Sequence, residues 1–252
     1  MLESMVGKKI LIIGGTGSLG QALIRRWSAK NNLCVFSRDE AKHWTIKNQL
    51  KDSSNTSFVV GDIRDKHRIK EVLVDFQPQI VIIAAALKQV DTCEFAPVES
   101  LKTNVLGITN VIEGSLALGS FLTSLECVLM ISTDKACSPT NVYGMSKALA
   151  ERIVVSASRK KNSTRYLGVR YGNVLDSRGS IVPLFRYQAL HERAFTITNN
   201  RMTRFLMTLD ESIDLIENAI SYGESGDFWI PQLRSMKIAD LAEIFSERYN
   251  KP

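Results

Sequence analysis

Tyr143 and Lys147 stand four residues apart in Tyr143-Gly144-Met145-Ser146-Lys147. On a helix that spacing puts both side chains on one face. An ammonium beside a phenol stabilises the phenolate, so the tyrosine can act as a base nearer neutral pH. Just upstream, Ser132-Thr133-Asp134-Lys135 brings hydroxyls, a carboxyl and an amine in succession. A structural loop can hold any one of these. Together, beside a Tyr–Lys pair, they point to general acid–base chemistry.

A third cluster is Gly14-Gly15-Thr16-Gly17-Ser18-Leu19-Gly20. Gly15-x-Gly17-x-x-Gly20 fits the dinucleotide fingerprint, and Gly14-x-x-Gly17-x-x-Gly20 its three-residue-spaced variant. Glycines there allow a tight turn, close approach to pyrophosphate and helix–strand packing. The amides and dipole of the following helix face the phosphates. Further on, Ser37-Arg38-Asp39 chooses the cofactor. An acidic residue takes the ribose 2′-hydroxyl of NAD, whereas Arg38 suits the 2′-phosphate of NADP. Arg38 comes first, which favours NADP and leaves NAD as the alternative. Asp62-Ile63 either borders the adenine or caps a strand end.

These groups need strand ends and helix starts to position them. Lys8–Ile13, Leu33–Phe36, Phe58–Val60, Ile80–Ala85, Cys127–Ser132 and Tyr166–Tyr171 read as strands, the first a charged entry followed by a wholly apolar run. Strands apolar on both faces belong to parallel sheets covered by helices. Helical patterns fill the gaps at Gln21–Lys30, Glu40–Leu50, Lys66–Phe76, Phe95–Leu118 and Val142–Arg159. The alternation predicts a Rossmann-like, doubly wound α/β fold. After Arg170 the rhythm changes. Gly172–Pro183 reads as loop, Val182–Glu192 as a short helix and Phe195–Thr198 as a strand. Leu209–Ser221 and Lys237–Tyr249 read as helices. We expect a Rossmann domain over 1–172 and a smaller lobe over 173–252, packed at the carboxyl ends of the strands. Ligands of open α/β sheets bind in that crevice.

Composition narrows the classes. The 252 residues are 44% hydrophobic and 23% charged, ordinary for a globular chain. The net charge of +6 is spread along the chain, which speaks against nucleic acid and suits small anionic ligands. Cys34, Cys93, Cys127 and Cys137 form no CxxC pair, a reduced, cytoplasmic pattern. No apolar run approaches a membrane span. No histidine lies within the motifs, so neither a Ser–His hydrolase nor a metal site is expected.

The longer strings resemble the extended short-chain dehydrogenase/reductases, in particular the UDP-N-acetylglucosamine 4,6-dehydratases of surface-polysaccharide biosynthesis. The matching strings are GGTGSLG at 14–20, FSRDE at 36–40, GDIRD at 61–65, AAALKQV at 84–90 and KTNVLGITNV at 102–111. Further on come STDKACSPTNVYGMSK at 132–147, RYGNVLDSRGSIVP at 170–183 and RMTRF at 201–205.

The resemblance implies a redox-neutral loss of water from a UDP-amino sugar. Tyr143, with Lys147 and the hydroxyl of Thr133 or Ser132, would remove the 4-OH proton while hydride passes to bound NADP. Lys135 would take the C5 proton, and Asp134 would protonate the departing 6-hydroxyl. The hydride would then return to C6, giving a 4-keto-6-deoxy sugar, in the C5-inverting branch. It further implies that Gly14, Thr16, Gly17, Ser18, Leu19, Ser37, Arg38, Asp62, Ile63, Ala84, Ala85, Ala86, Lys88, Asn104, Tyr143, Lys147, Tyr171 and Asn173 serve the cofactor. Lys88, Asn173, Arg178, Val182, Arg201 and Arg204 would meet the substrate. Lys88 and Glu94 match a loop that closes over the site. Asn104 matches a residue supporting the active-site backbone. Relatives continue past Lys237-Ile238-Ala239-Asp240-Leu241 into an Arg–Pro–Gly–Glu–Lys segment that helps hold the diphosphate. On that pattern the small lobe is incomplete at its C-terminal side. A homo-oligomer, built on the helices from Phe95 and Val142, is expected by analogy of fold. Two rivals share part of this pattern. A sugar-nucleotide 4-epimerase needs the glycine loop and Tyr–Lys pair but no acid–base pair for C5 and C6. A non-catalytic NADP-binding protein needs only the loop.

Overall fold

The central apolar runs become strands buried on both sides, while the run at Phe58–Val60 lies at the sheet edge and is only partly buried. The computed structural model describes residues 5–50, 52–160, 163–177, 179–191 and 193–250. Strands β1 (Lys9–Ile13), β2 (Asn32–Ser37), β3 (Thr56–Val60), β4 (Ile80–Ile83), β5 (Cys127–Thr133), β6 (Arg165–Tyr171) and β9 (Phe228–Trp229) form one sheet. Their order is β3-β2-β1-β4-β5-β6-β9, and every pairing is parallel. This is the doubly wound arrangement, with its switch point between β1 and β4. Ile10, Leu11, Ile12 and Ile13 are all fully buried because alternate side chains feed the cores on opposite faces.

Helices α1 (Ser18–Trp27) and α9 (Leu209–Tyr222) cover one face. Helices α3 (Lys66–Phe76), α6 (Gly107–Ala117) and α7 (Val142–Ser158) cover the other. Helix α2 (Glu40–Gln49) follows β2. The helix expected over Phe95–Leu118 runs without a gap from Pro97 to Ala117, as α5 (Pro97–Leu101), a π-helical stretch (Lys102–Leu106) and α6, and a break at Ala96 sets it apart from α4 (Val90–Phe95). Proline disfavours helical backbone at the preceding residue, and Ala96 accordingly has φ −126° and ψ 64°.

The smaller lobe holds a three-stranded sheet in the order β10-β8-β7, from β7 (Asn173–Val174), β8 (Thr203–Met207) and β10 (Ser235–Lys237). Helices α8 (Ile181–Leu190) and α10 (Ile238–Tyr249) pack there around Phe185. The strand expected over Phe195–Thr198 does not form. Phe195 instead packs against Phe185, the rings tilted by 56° with centroids 5.2 Å apart, and the Gln188 amide donates to Thr196 Oγ1 at 2.9 Å. The short strands β7, β8, β9 and β10 were not expected. Helix α9 and strand β9 follow residue 173 yet complete the large sheet's layers. Among the described residues, no helix is long and apolar enough to cross a membrane.

Candidate active site

One cleft of about 1020 Å³ lies at the carboxyl ends of the strands. Its floor is the glycine loop. Gly14 has φ +87°, and a Cβ there would stand 2.5 Å from the Ala85 amide nitrogen. Only glycine lets the β1 and β4 loops meet this closely. Gly20 lies against Gly15 in the same way, with 2.4 Å for an added Cβ. Gly17 is the N-cap of α1, and no side chain caps the first turn. The amides there face the cleft with no acidic residue among them. This is the cradle a pyrophosphate requires.

At the tip of β2, Ser37, Arg38 and Asp39 line the cleft, as do Asp62 and Ile63. The Asp39 carboxylate is turned to α2, accepting from the Lys42 amide at 3.0 Å and pairing with the Lys42 ammonium. Arg38 is largely exposed, 3.6 Å from Asp62. Burial raises the Asp62 carboxyl, but bonds from Arg64 outweigh it and hold Asp62 below its ordinary range. Ser37 belongs to a buried chain. It accepts from Thr16 at 3.1 Å and meets His43 Nε2 at 2.8 Å.

The proton-transfer groups meet where β5 ends. A 3₁₀ turn, Asp134–Ala136, separates β5 from α7. Asn141 caps α7 by accepting from the Gly144 amide at 2.8 Å. Thr133, Lys135, Tyr143 and Lys147 all line the cleft. Asp134 stands just behind, where its carboxylate accepts from Thr133 Oγ1 at 2.9 Å and Lys135 Nζ at 3.0 Å. Lys135 also donates to Asn173 Oδ1 at 3.2 Å. Of the two candidate hydroxyls, Ser132 donates to Glu151, whereas Thr133 hydrogen-bonds the Tyr143 phenol. Burial pushes Tyr143 up to about 12, and the Thr133 bond offsets part of that while Asp134 and Cys93 add to it. Lys147 is 2% exposed, and burial lowers it to about 8 against a raising influence from Glu151. The electrostatics therefore differ from the expectation. In this cleft, burial governs Tyr143 more than any neighbouring ammonium.

The other expected residues divide. Thr16, Ser18, Leu19, Ala84, Ala85, Ala86, Lys88, Tyr171 and Asn173 line the cleft. Asn104 does not. It is fully buried, accepting from the Leu87 amide and donating to the Leu87 carbonyl, each at 2.8 Å. It thereby holds the β4–α4 loop that forms one wall. Glu94 accepts from the Val142 amide at 2.7 Å and so caps α7. Val182, Arg201 and Arg204 lie outside the cleft lining, and Arg204 donates to the Thr203 carbonyl at 2.8 Å. Arg178 lies outside the described residues. The sequence reading missed the buried group beneath the site, in which Glu151 joins Ser132 to Arg170. One signal was present, since Glu151 follows Lys147 at helical i,i+4 spacing. Among the described residues, no cluster of His, Cys, Asp and Glu could hold a metal.

The chain has relatives among known proteins. The family described as polysaccharide biosynthesis protein matches residues 10–251. The chain belongs to that family. It is 39% identical over 254 residues to a protein named UDP-glucose 4-epimerase from Rickettsia bellii, covering 97% of this chain and 72% of that one. A Rickettsia prowazekii protein of the same name is 40% identical over 252 residues, covering 96% and 71%. Among solved structures, Pen from Bacillus thuringiensis superposes with a TM-score of 0.91 at 33% identity, covering 98% of this chain and 75% of that one. The dTDP-glucose 4,6-dehydratase DesIV from Streptomyces venezuelae, solved with NAD and TYD bound, has a TM-score of 0.86 at 18% identity. It covers 97% of this chain and 82% of its own, and at that identity it speaks for the fold alone.

Proposed function

We propose that the chain is a nicotinamide-dependent sugar-nucleotide 4,6-dehydratase acting on UDP-N-acetylglucosamine or a related UDP-sugar. The observation that carries this is the Asp134–Lys135 pair, 3.0 Å apart, at the end of the strand that also presents Thr133 beside Tyr143. An acid and a base outside the Tyr–Lys pair are what the removal of water requires. The uncapped amides of α1 and the close Gly14–Ala85 approach fit a dinucleotide. Arg38, with Asp39 committed to α2, favours NADP over NAD.

When bound, the oxidised cofactor supplies a hydride acceptor and a positive charge that favours the Tyr143 phenolate. Tyr143 takes the proton of the sugar 4-hydroxyl, with Thr133 holding the phenol in place. Oxidation at C4 leaves a ketone that acidifies C5. Lys135 removes the C5 proton and Asp134 protonates the 6-hydroxyl as it leaves as water; return to C6 of the hydride taken from C4, with a proton given back at C5, completes a redox-neutral loss of water. Lys147, buried one helical turn after Tyr143, would hold the cofactor's ribose. Asn173, bonded to Lys135, keeps that amine aimed into the cleft. The enzyme works in the cytoplasm as a homo-oligomer.

A second reading has its own support. The rickettsial relatives carry the name UDP-glucose 4-epimerase, and that reaction needs only Thr133, Tyr143 and Lys147. Incubation with UDP-N-acetylglucosamine and with UDP-glucose, followed by mass spectrometry and NMR, separates the two. The dehydratase yields a product lighter by one water. The epimerase yields an unchanged mass with C4 inverted.

A further inference from the structure

We infer that His43 is a specificity-determining residue for the cofactor, orienting the Ser37 hydroxyl so that its proton faces the cleft and meets a phosphate oxygen. This rests on the dinucleotide reading above. Ser37 is the last residue of β2 and lines the cleft beside Arg38. Its oxygen accepts from Thr16 Oγ1 at 3.1 Å and lies 2.8 Å from His43 Nε2, while the Asp39 amide comes no nearer than 3.5 Å. His43 reaches it from the first turn of α2. The ring is 5% exposed and packs against Phe58, with centroids 5.4 Å apart.

Burial holds the ring below its ordinary pKa, although Asp39 and Glu40 oppose this. The ring is therefore neutral near pH 7 and carries one N–H. A hydroxyl has one proton and two lone pairs. With the imidazole proton on Nε2, Ser37 accepts from both Thr16 and His43. Its own proton then has the cleft to donate into. A fixed donor beside the Arg38 guanidinium suits the 2′-phosphate of NADP, because hydrogen bonds to charged oxygens are the stronger class. The 2′-hydroxyl of NAD gains less from it. The sequence shows no motif at His43. Only the fold brings α2 and the glycine loop to the same serine.

The test measures dissociation constants for NADP⁺ and NAD⁺ by calorimetry on the whole chain. Wild type prefers NADP⁺. His43→Ala weakens NADP⁺ about tenfold or more and NAD⁺ far less. His43→Gln, which keeps a side-chain N–H donor, retains the preference. Ser37→Ala loses as much as His43→Ala, and the double variant loses no more than either. Long-range ¹H–¹⁵N NMR of wild type finds the ring proton on Nε2, a readout that needs no variant to fold. A proton on Nδ1, or an unchanged NADP⁺/NAD⁺ ratio in His43→Ala, overturns the inference and leaves the dinucleotide reading standing. If wild type binds neither dinucleotide, both fall together.

Discussion

The carbonyl oxygen of Lys135 lies 2.1 Å from where a Cβ on Gly144 would stand. The first turn of α7 therefore presses directly on the 3₁₀ turn carrying Asp134 and Lys135. That contact brings the Tyr143–Lys147 face and Lys135, with Asp134 bonded behind it, to one cleft. The glycine inside the Tyr-x-x-x-Lys string is thus a packing requirement between two sets of reacting groups.

Gly144→Ala must push the two segments apart, because the obstacle is backbone and cannot rotate away. Overpacking of this kind costs ~1–3 kcal/mol of stability. Turnover falls more than cofactor affinity, since the glycine loop is remote from the contact. Denaturant unfolding, turnover and dinucleotide binding measured on one preparation check this. Equal losses in turnover and dinucleotide affinity would count against it.

Lys135→Met separates oxidation from elimination. Transfer of hydride from C4 still reduces the bound cofactor, visible as absorbance of the reduced nicotinamide. Loss of water falls by roughly 10²-fold or more, the usual worth of a positioned base. A variant that dehydrates at the wild-type rate contradicts the role given to Lys135.

Arg38→Ala weakens NADP⁺ binding by about tenfold or more, the range for a lost hydrogen bond to a charged group. NAD⁺ binding changes little, because no 2′-phosphate is present to miss the guanidinium. Equal losses for both dinucleotides would place Arg38 elsewhere than at the 2′ position.

Lys147 links stability to pH. Its pKa is about 8 in the folded chain and near 10.5 when solvated. Between those values the unfolded chain binds more protons, so stability rises with pH across that window. The full effect is about 3 kcal/mol by the conversion of pKa shift to free energy. Below pH 8 the buried ammonium is carried at that cost. Lys147→Met is therefore more stable than wild type near pH 7, and the gap closes as pH rises towards 10. Urea unfolding of both proteins at the two pH values checks this, and a gap independent of pH would refute it. The same variant is inactive as an enzyme.

The large sheet was legible because strands covered by helices on both faces must be continuous apolar runs. Ile10–Ile13, Ile80–Ile83 and Cys127–Met130 are such runs. The glycine loop and the Tyr143–Lys147 pair were legible because their spacing is itself the chemistry. The break at Ala96-Pro97 was written in the sequence, but apolar periodicity on both sides masked it. Strands as short as β7 and β9 have too few residues to show a period. The Glu151–Arg170–Ser132 group joins three separate elements, and the Thr16–Ser37–His43 chain ties the glycine loop to the end of β2 and the start of α2. Hydrogen bonds of that kind become visible only when the fold has brought the elements together. Arg201 and Arg204 show the reverse case. Their string is distinctive, yet the structure leaves both outside the cleft lining.

The most direct test of the central claim is turnover of UDP-N-acetylglucosamine in D₂O, followed by NMR of the product. The account predicts loss of one water with deuterium entering at C5, because Lys135 exchanges its proton with solvent after taking the C5 hydrogen. A product of unchanged mass, epimerised at C4 and carrying no deuterium at C5, would contradict it.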